Sequence, residues 1–89
     1  MNLEFKKSFA KDLKKKAKDA NLRLRVQEII QQVDEADRMD DIRNLKKLRA
    51  EGNYYRIRFG DYRIGLTIEG VTVCFVRCLH RSEIYRYFP

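Results

Sequence analysis

The sequence predicts an α+β domain: a short strand, a helical hairpin, then three strands in succession and a last helical turn. Three observations carry that expectation. Apolar residues recur at helical spacing in two stretches of the first 36 residues. From Tyr54 to Ile68 apolar and charged residues alternate with period two, as in half-buried strands. From Val71 to Leu79 the chain is nearly all apolar, which suits a strand buried on both faces. A chain of 89 residues with 44 % hydrophobic content suits one domain, residues 1–89, with a small core.

Leu3 and Phe5 alternate with Asn2, Glu4 and Lys6, which reads as a short strand within residues 2–7. Ser8 is placed to cap a helix starting just after it. Phe9, Leu13, Ala17 and Ala20 form that helix's apolar stripe, and Lys11, Lys14, Lys15, Lys16 and Lys18 surround it. Lysines spread so widely read as a solvated surface or as general attraction for a polyanion, not as a pocket. Ala20-Asn21 is the expected connection to a second helix over about residues 22–36, with Leu22, Val26, Ile29, Ile30 and Val33 on one face. The two helices then pack as a hairpin on the sheet. Asp37 to Asp41 is an acidic loop, and Leu45 and Leu48 are expected beneath the sheet before a turn at Glu51-Gly52-Asn53.

Gly60-Asp61 interrupts the alternation as a two-residue type II′ hairpin turn, with glycine at the first central position. That turn sets Phe59 opposite Tyr62, Arg58 opposite Arg63, Ile57 opposite Ile64 and Arg56 opposite Gly65. Tyr55, Ile57, Phe59, Tyr62, Ile64, Leu66 and Ile68 then share the core face. Arg56, Arg58 and Arg63 share the other. Like charges directly opposite each other destabilise a strand pair. Either an anion sits over these guanidiniums, phosphate above all in a basic protein, or their stems cover apolar surface on a solvated face. A second two-residue turn at Glu69-Gly70 pairs Arg63 with Val76 and Gly65 with Cys74. It places Cys74, Val76, Cys78 and His80 on the arginine face and Arg77 on the core face, where it needs a carboxylate or backbone carbonyls. Ser82 is placed to cap the final helical turn, which leaves Tyr85 near the end of the last strand.

Net charge is +7, distributed as +6 over residues 1–25, −2 over 26–51 and +3 over 52–89. That balance favours nucleic acid or an acidic protein segment as partner. No apolar run reaches the roughly 18 residues of a membrane span, and the first residues have no signal-peptide core. Cys74 and Cys78, four apart on one strand, lie roughly 13 Å apart at about 3.3 Å per residue, too far to bridge. They read as buried hydrophobes, in keeping with a reducing cytoplasm. One histidine and no Cys-x-x-Cys spacing give no expectation of a metal site.

The order of elements, together with Tyr-Arg-Ile-Arg-Phe-Gly-Asp-Tyr-Arg at 55–63 and Val-Arg-Cys-Leu-His-Arg-Ser-Glu-Ile-Tyr at 76–85, resembles the RelE/ParE superfamily of toxins from type II toxin–antitoxin pairs. The resemblance spans nearly the whole chain and is specific in about the last 35 residues. It implies a twisted, mostly antiparallel sheet with two helices on one face, and a cognate antitoxin that wraps the toxin. The superfamily holds two activities: endoribonucleases that cut mRNA on the ribosome, and ParE-type inhibitors of DNA gyrase without nuclease chemistry. For the nuclease branch the resemblance carries Arg56, Arg58, Arg63, Arg81 and Tyr85 onto the catalytic positions. Arg56 and Arg58 stand where RelE has lysines, so a basic side chain able to give up a proton is missing there.

Those residue types suit cleavage without a cofactor. The ribose 2′-OH attacks phosphorus while one group takes its proton, cations stabilise the phosphorane, and another group protonates the departing 5′-oxygen. Tyr85 is a candidate base if nearby cations lower its pKa. Arg81 is a candidate for the leaving oxygen or the phosphate. His80 has the unperturbed pKa best suited to proton transfer at neutral pH, or else it orients Arg81 from a strand end.

Overall fold

The computed structural model describes residues 1–49 and 51–89. The elements run β1 (Asn2–Phe5), α1 (Lys7–Lys15), α2 (Ala20–Glu35), a 3₁₀ turn (Met39–Asp41), β2 (Leu45–Lys47), β3 (Tyr54–Phe59), β4 (Tyr62–Glu69), β5 (Thr72–His80) and α3 (Ile84–Tyr87). One sheet is ordered β1-β5-β4-β3-β2. Among the described residues only the β1–β5 pair is parallel. The β2 strand is an addition to the expected element order. Three residues are too few for a periodic signal, and their pairing with β3 makes them a strand. No helix among the described residues is long and apolar enough to cross a membrane.

The main core lies between the helices and one sheet face. Phe9 of α1 and Leu22, Val26, Ile29 and Val33 of α2 pack against Ile57, Ile64, Leu66, Ile68, Val73 and Phe75. On α2 the four apolar residues fall at helical spacing, so one stripe faces the sheet along the whole helix. The α2 start differs from the sequence reading. Asp19 is its N-cap, its carboxylate accepting from the Leu22 N–H at 3.0 Å, so Ala20-Asn21 opens the helix instead of joining two.

Ser8 does not cap α1. It lies inside the helix, and its hydroxyl donates to the Val76 carbonyl at 2.6 Å. Ser8, Asp12 and Lys16 recur every four residues and face the free edge of β5 beyond the end of β1. Lys16 Nζ donates to the Cys78 carbonyl at 3.1 Å, and Asp12 Oδ2 accepts from the Cys78 N–H at 3.0 Å. One polar helix stripe thus satisfies backbone groups that a neighbouring strand would otherwise pair. Asp12, 3 % exposed, also accepts from Arg77 Nε at 2.7 Å and Nη2 at 3.1 Å. That is the carboxylate Arg77 needs.

The β3–β4 hairpin has the expected register, with Gly60 at φ +56° in its turn. The β4–β5 pairing does not. Glu69 pairs with Thr72 around Gly70-Val71, which moves β5 by two residues and leaves Cys74 on the arginine face. A bulge opposite Gly65/Leu66 then takes Val76 out of the ladder. One extra residue inverts every side chain beyond it. Arg63 therefore faces Leu79, and Gly65 faces Arg77. Arg77 belongs to the arginine face, while Cys78 and His80 turn to the helix face. Burial pushes the Cys78 thiol up to about 11 and raises Cys74 as well; both are free thiols.

A second, smaller core occupies part of the arginine face. Leu79, Ile84 and Phe88 are buried there, with Leu48 and Val76 against them. The C-terminal segment folds back over the sheet, and Leu48 sits on this side while Leu45 packs into the main core.

Candidate functional site

The arginine face is built from alternation on β3 and β4. Arg56 lies opposite Gly65, and Arg58 opposite Arg63. The short β2 adds Lys46, opposite Arg56 and so on the same face. Lys46 escaped the sequence reading because its strand did. Arg56 Nη1 donates to the Asn44 carbonyl at 2.7 Å, where Asn44 takes a left-handed φ of +62°. Its Nε is buried without a hydrogen-bond partner among the described residues. Arg63 Nη1 donates to the carbonyls of Gly60 at 3.0 Å and Tyr62 at 2.9 Å, which folds the guanidinium against the hairpin turn. Arg58 is exposed and has no carboxylate partner among the described residues.

Arg81 and Tyr85 reach the same region from beyond β5. The Arg81 N–H donates to the Asp61 carbonyl at 2.7 Å, and its Nε lies 3.8 Å from Asp61 Oδ1. Asp61 thereby ties the β3–β4 turn to the turn that presents Arg81, a role that its place in a hairpin turn does not announce. Tyr85 projects from α3 and is 64 % exposed. The five groups share one electrostatic neighbourhood. Burial lowers the Arg63 guanidinium below its ordinary value, the Arg56 charge adds to that, and Arg58 and Arg81 contribute less; Tyr85 acts in the opposite sense. A surface where cations already crowd one another gains most from an anion bound across them.

His80 is apart from this group. It pairs with Tyr62 on the helix face and meets the Tyr62 ring edge-on at 5.6 Å. Its Nδ1 accepts the Ser82 N–H at 3.1 Å and lies 2.8 Å from Ser82 Oγ. A neutral ring with Nδ1 accepting carries its proton on Nε2. Ser82 is consequently engaged with His80 and does not cap α3, whose N-cap is Glu83 without a side-chain cap bond.

A groove of about 580 Å³ lies elsewhere, between α2 and the open end of β3. Of the arginine-face residues it includes Arg58 alone; Arg25, Glu28, Glu35 and Arg43 give it mixed charge. The arginine face is a cationic surface, the charge that suits a polyanionic or acidic partner.

Comparisons with known proteins agree with this architecture. The family model described as the ParE toxin of type II toxin-antitoxin system, parDE, matches residues 3–85. Toxin RelE3 of Methanocaldococcus jannaschii is 42 % identical over 90 residues, covering 100 % of both chains. Among solved structures, a RelB–RelE antitoxin–toxin complex from Methanococcus jannaschii matches with a TM-score of 0.78 at 41 % identity, over 97 % of this chain and 99 % of that one. The toxin–antitoxin complex RelBE2 from Mycobacterium tuberculosis matches with a TM-score of 0.64 at 25 % identity, over 91 % of each chain. With the family model spanning almost the whole domain and a relative of this identity at full length, the chain belongs to the ParE/RelE family of type II toxin–antitoxin toxins.

Proposed function

We propose that this toxin is a metal-independent endoribonuclease that cleaves mRNA on the ribosome and so inhibits translation. The observation that carries the reading is the gathering of Arg56, Arg58, Arg63, Arg81 and Tyr85 from three separate stretches onto one side of the sheet. In this reading the ribose 2′-OH attacks the adjacent phosphorus and the P–O5′ bond breaks, leaving a 2′,3′-cyclic phosphate. Tyr85 takes the 2′ proton. Arg58 and Arg63 stabilise the phosphorane, and Arg81 stabilises the charge on the departing 5′-oxygen, which takes its proton from a solvent water. Arg56, held by the Asn44 carbonyl, adds a fixed positive charge beside them for the phosphate. His80 faces away from these groups, and its part is to hold Ser82 and thereby the turn that presents Arg81. The reaction requires no cofactor. The toxin works in the cytoplasm, where a cognate antitoxin neutralises it in a hetero-oligomer; the similar RelE and RelBE2 proteins were solved as antitoxin–toxin complexes.

Tyr85→Phe removes one oxygen from an exposed side chain, so the fold is untouched. Single-turnover cleavage of ribosome-bound mRNA is expected to slow by roughly 10²- to 10⁴-fold, the usual cost of losing a proton-transfer group. A 2′,3′-cyclic phosphate on the wild-type product identifies attack by the 2′-OH. Cleavage unaffected by Tyr85→Phe would move the base elsewhere.

The ParE family match supports a second reading, inhibition of DNA gyrase with the same arginines holding acidic protein surface. Wild-type protein that leaves ribosome-bound mRNA intact but blocks gyrase supercoiling would decide for it.

A further inference from the structure

Gly65 sits inside β4, where a glycine ordinarily weakens a strand by leaving nothing to pack. Here the vacancy is occupied. A Cβ at this position would lie 2.6 Å from Phe88 Cδ2, 2.7 Å from Cγ and 2.9 Å from Cε2. The register sets Gly65 between Arg56 and Arg77, so the missing side chain opens a notch in the arginine face. The Phe88 ring fills it, 3 % exposed and edge-on to Tyr54 at 5.8 Å.

The ring closes a very short element. The α3 helix has four residues, far below the dozen or so at which an isolated helix becomes even marginal in water. Its position depends on what its ends bury. Ile84 at one end is fully buried, and Phe88 just past the other donates its N–H to the Ile84 carbonyl at 2.8 Å. Tyr85 stands between these two anchors with its ring in solvent. Releasing either anchor frees the hydroxyl of Tyr85 to sample many positions.

We infer that Phe88, seated over Gly65, is a positioning residue that holds Tyr85 at the arginine face. The inference rests on the nuclease reading for its kinetic consequence, but the anchoring itself is independent of that reading. It assigns Gly65 a purpose as well: the position is glycine because a side chain there would evict the ring. Phe88→Ala empties the notch, and Gly65→Ala fills it from below, so two changes in different elements release the same anchor.

The test has two readouts. Backbone NMR order parameters of residues 84–88 are expected near 0.85 in the wild type and below about 0.6 in both variants, with β3 and β4 unchanged. Single-turnover cleavage is expected to fall on the order of 10²-fold in both, the scale of a misplaced catalytic group, with KM unaltered. Added to Tyr85→Phe, either change costs little more, because the group it positions is already gone. Order parameters that stay at the wild-type level overturn the inference, as does a cleavage loss that adds in full to that of Tyr85→Phe. Phe88→Leu replaces Phe88→Ala if the smaller residue prevents folding. If the wild type cuts no mRNA, the nuclease reading fails, and the order parameters alone decide whether Phe88 anchors α3.

Discussion

Arg58 and Arg63 face each other across the β3–β4 pair, and neither has a carboxylate partner among the described residues. A directly opposed like-charge pair costs the sheet a few tenths to about 1 kcal/mol. Arg58→Ala removes that repulsion and no hydrogen bond of its guanidinium. Chemical denaturation is therefore expected to show equal or slightly higher stability, while cleavage of ribosome-bound mRNA falls by at least tenfold. A marked loss of stability would make Arg58 a structural residue. Arg56 is a contrasting case on the same strand. Its guanidinium bonds the Asn44 carbonyl and its Nε is buried, so removing it disturbs the β2–β3 edge as well as the cationic surface.

At the level of elements, the most consequential contact joins α1 to β5. Asp12, itself buried, accepts three hydrogen bonds, two from the partly exposed Arg77 and one from the Cys78 backbone. Asp12→Ala leaves a partly buried guanidinium and a buried N–H without their acceptor. Loss of one partner of such a pair costs roughly 3–5 kcal/mol, and urea unfolding is the measurement. Because Cys78 lies two residues before His80, the same change should loosen the strand end that leads to Arg81. A loss below about 1 kcal/mol would show that the α1 stripe merely rests on the sheet edge. The β2 strand acts through placement: three residues paired to β3 bring Lys46 beside Arg56 and widen the cationic surface to a third strand.

For the molecule as a whole, two cores on opposite faces of one sheet explain why the arginine face is only partly open. The helices cover one side, and the C-terminal segment covers part of the other. The main core also stores a pH dependence. Burial raises the Cys78 thiol from 9.0 to about 11, so the folded state keeps a proton that the unfolded chain releases first. The native state then binds more protons than the unfolded state between those values, and stability falls as pH rises through that window. At about 1.4 kcal/mol per pKa unit, the loss is on the order of 3 kcal/mol. Cys78→Ala is expected to flatten the slope of unfolding free energy between pH 9 and 11, whatever its effect on stability at neutral pH. An unchanged slope would assign the alkaline sensitivity to other groups.

How far the chain could be read without coordinates varied along it, for physical reasons. Helical and alternating periodicities are local, so the α+β class, α2 and the β3–β4 register followed from neighbouring residues and a two-residue turn. The placement of Arg56, Arg58 and Arg63 on one face followed from the same alternation. The β4–β5 register did not, because a bulge is one unpaired residue, Val76, whose cost and benefit depend on packing against Leu79, Ile84 and Phe88. That single residue decided that Arg77 joined the arginine face and that His80 left it. Asp12 on α1 and Gly65 on β4 acquire meaning only from partners 65 and 23 positions away along the chain, Arg77 and Phe88. Periodicity carries no information over such separations. It settles which face a residue occupies within its own element, while contacts between elements settle what that face meets.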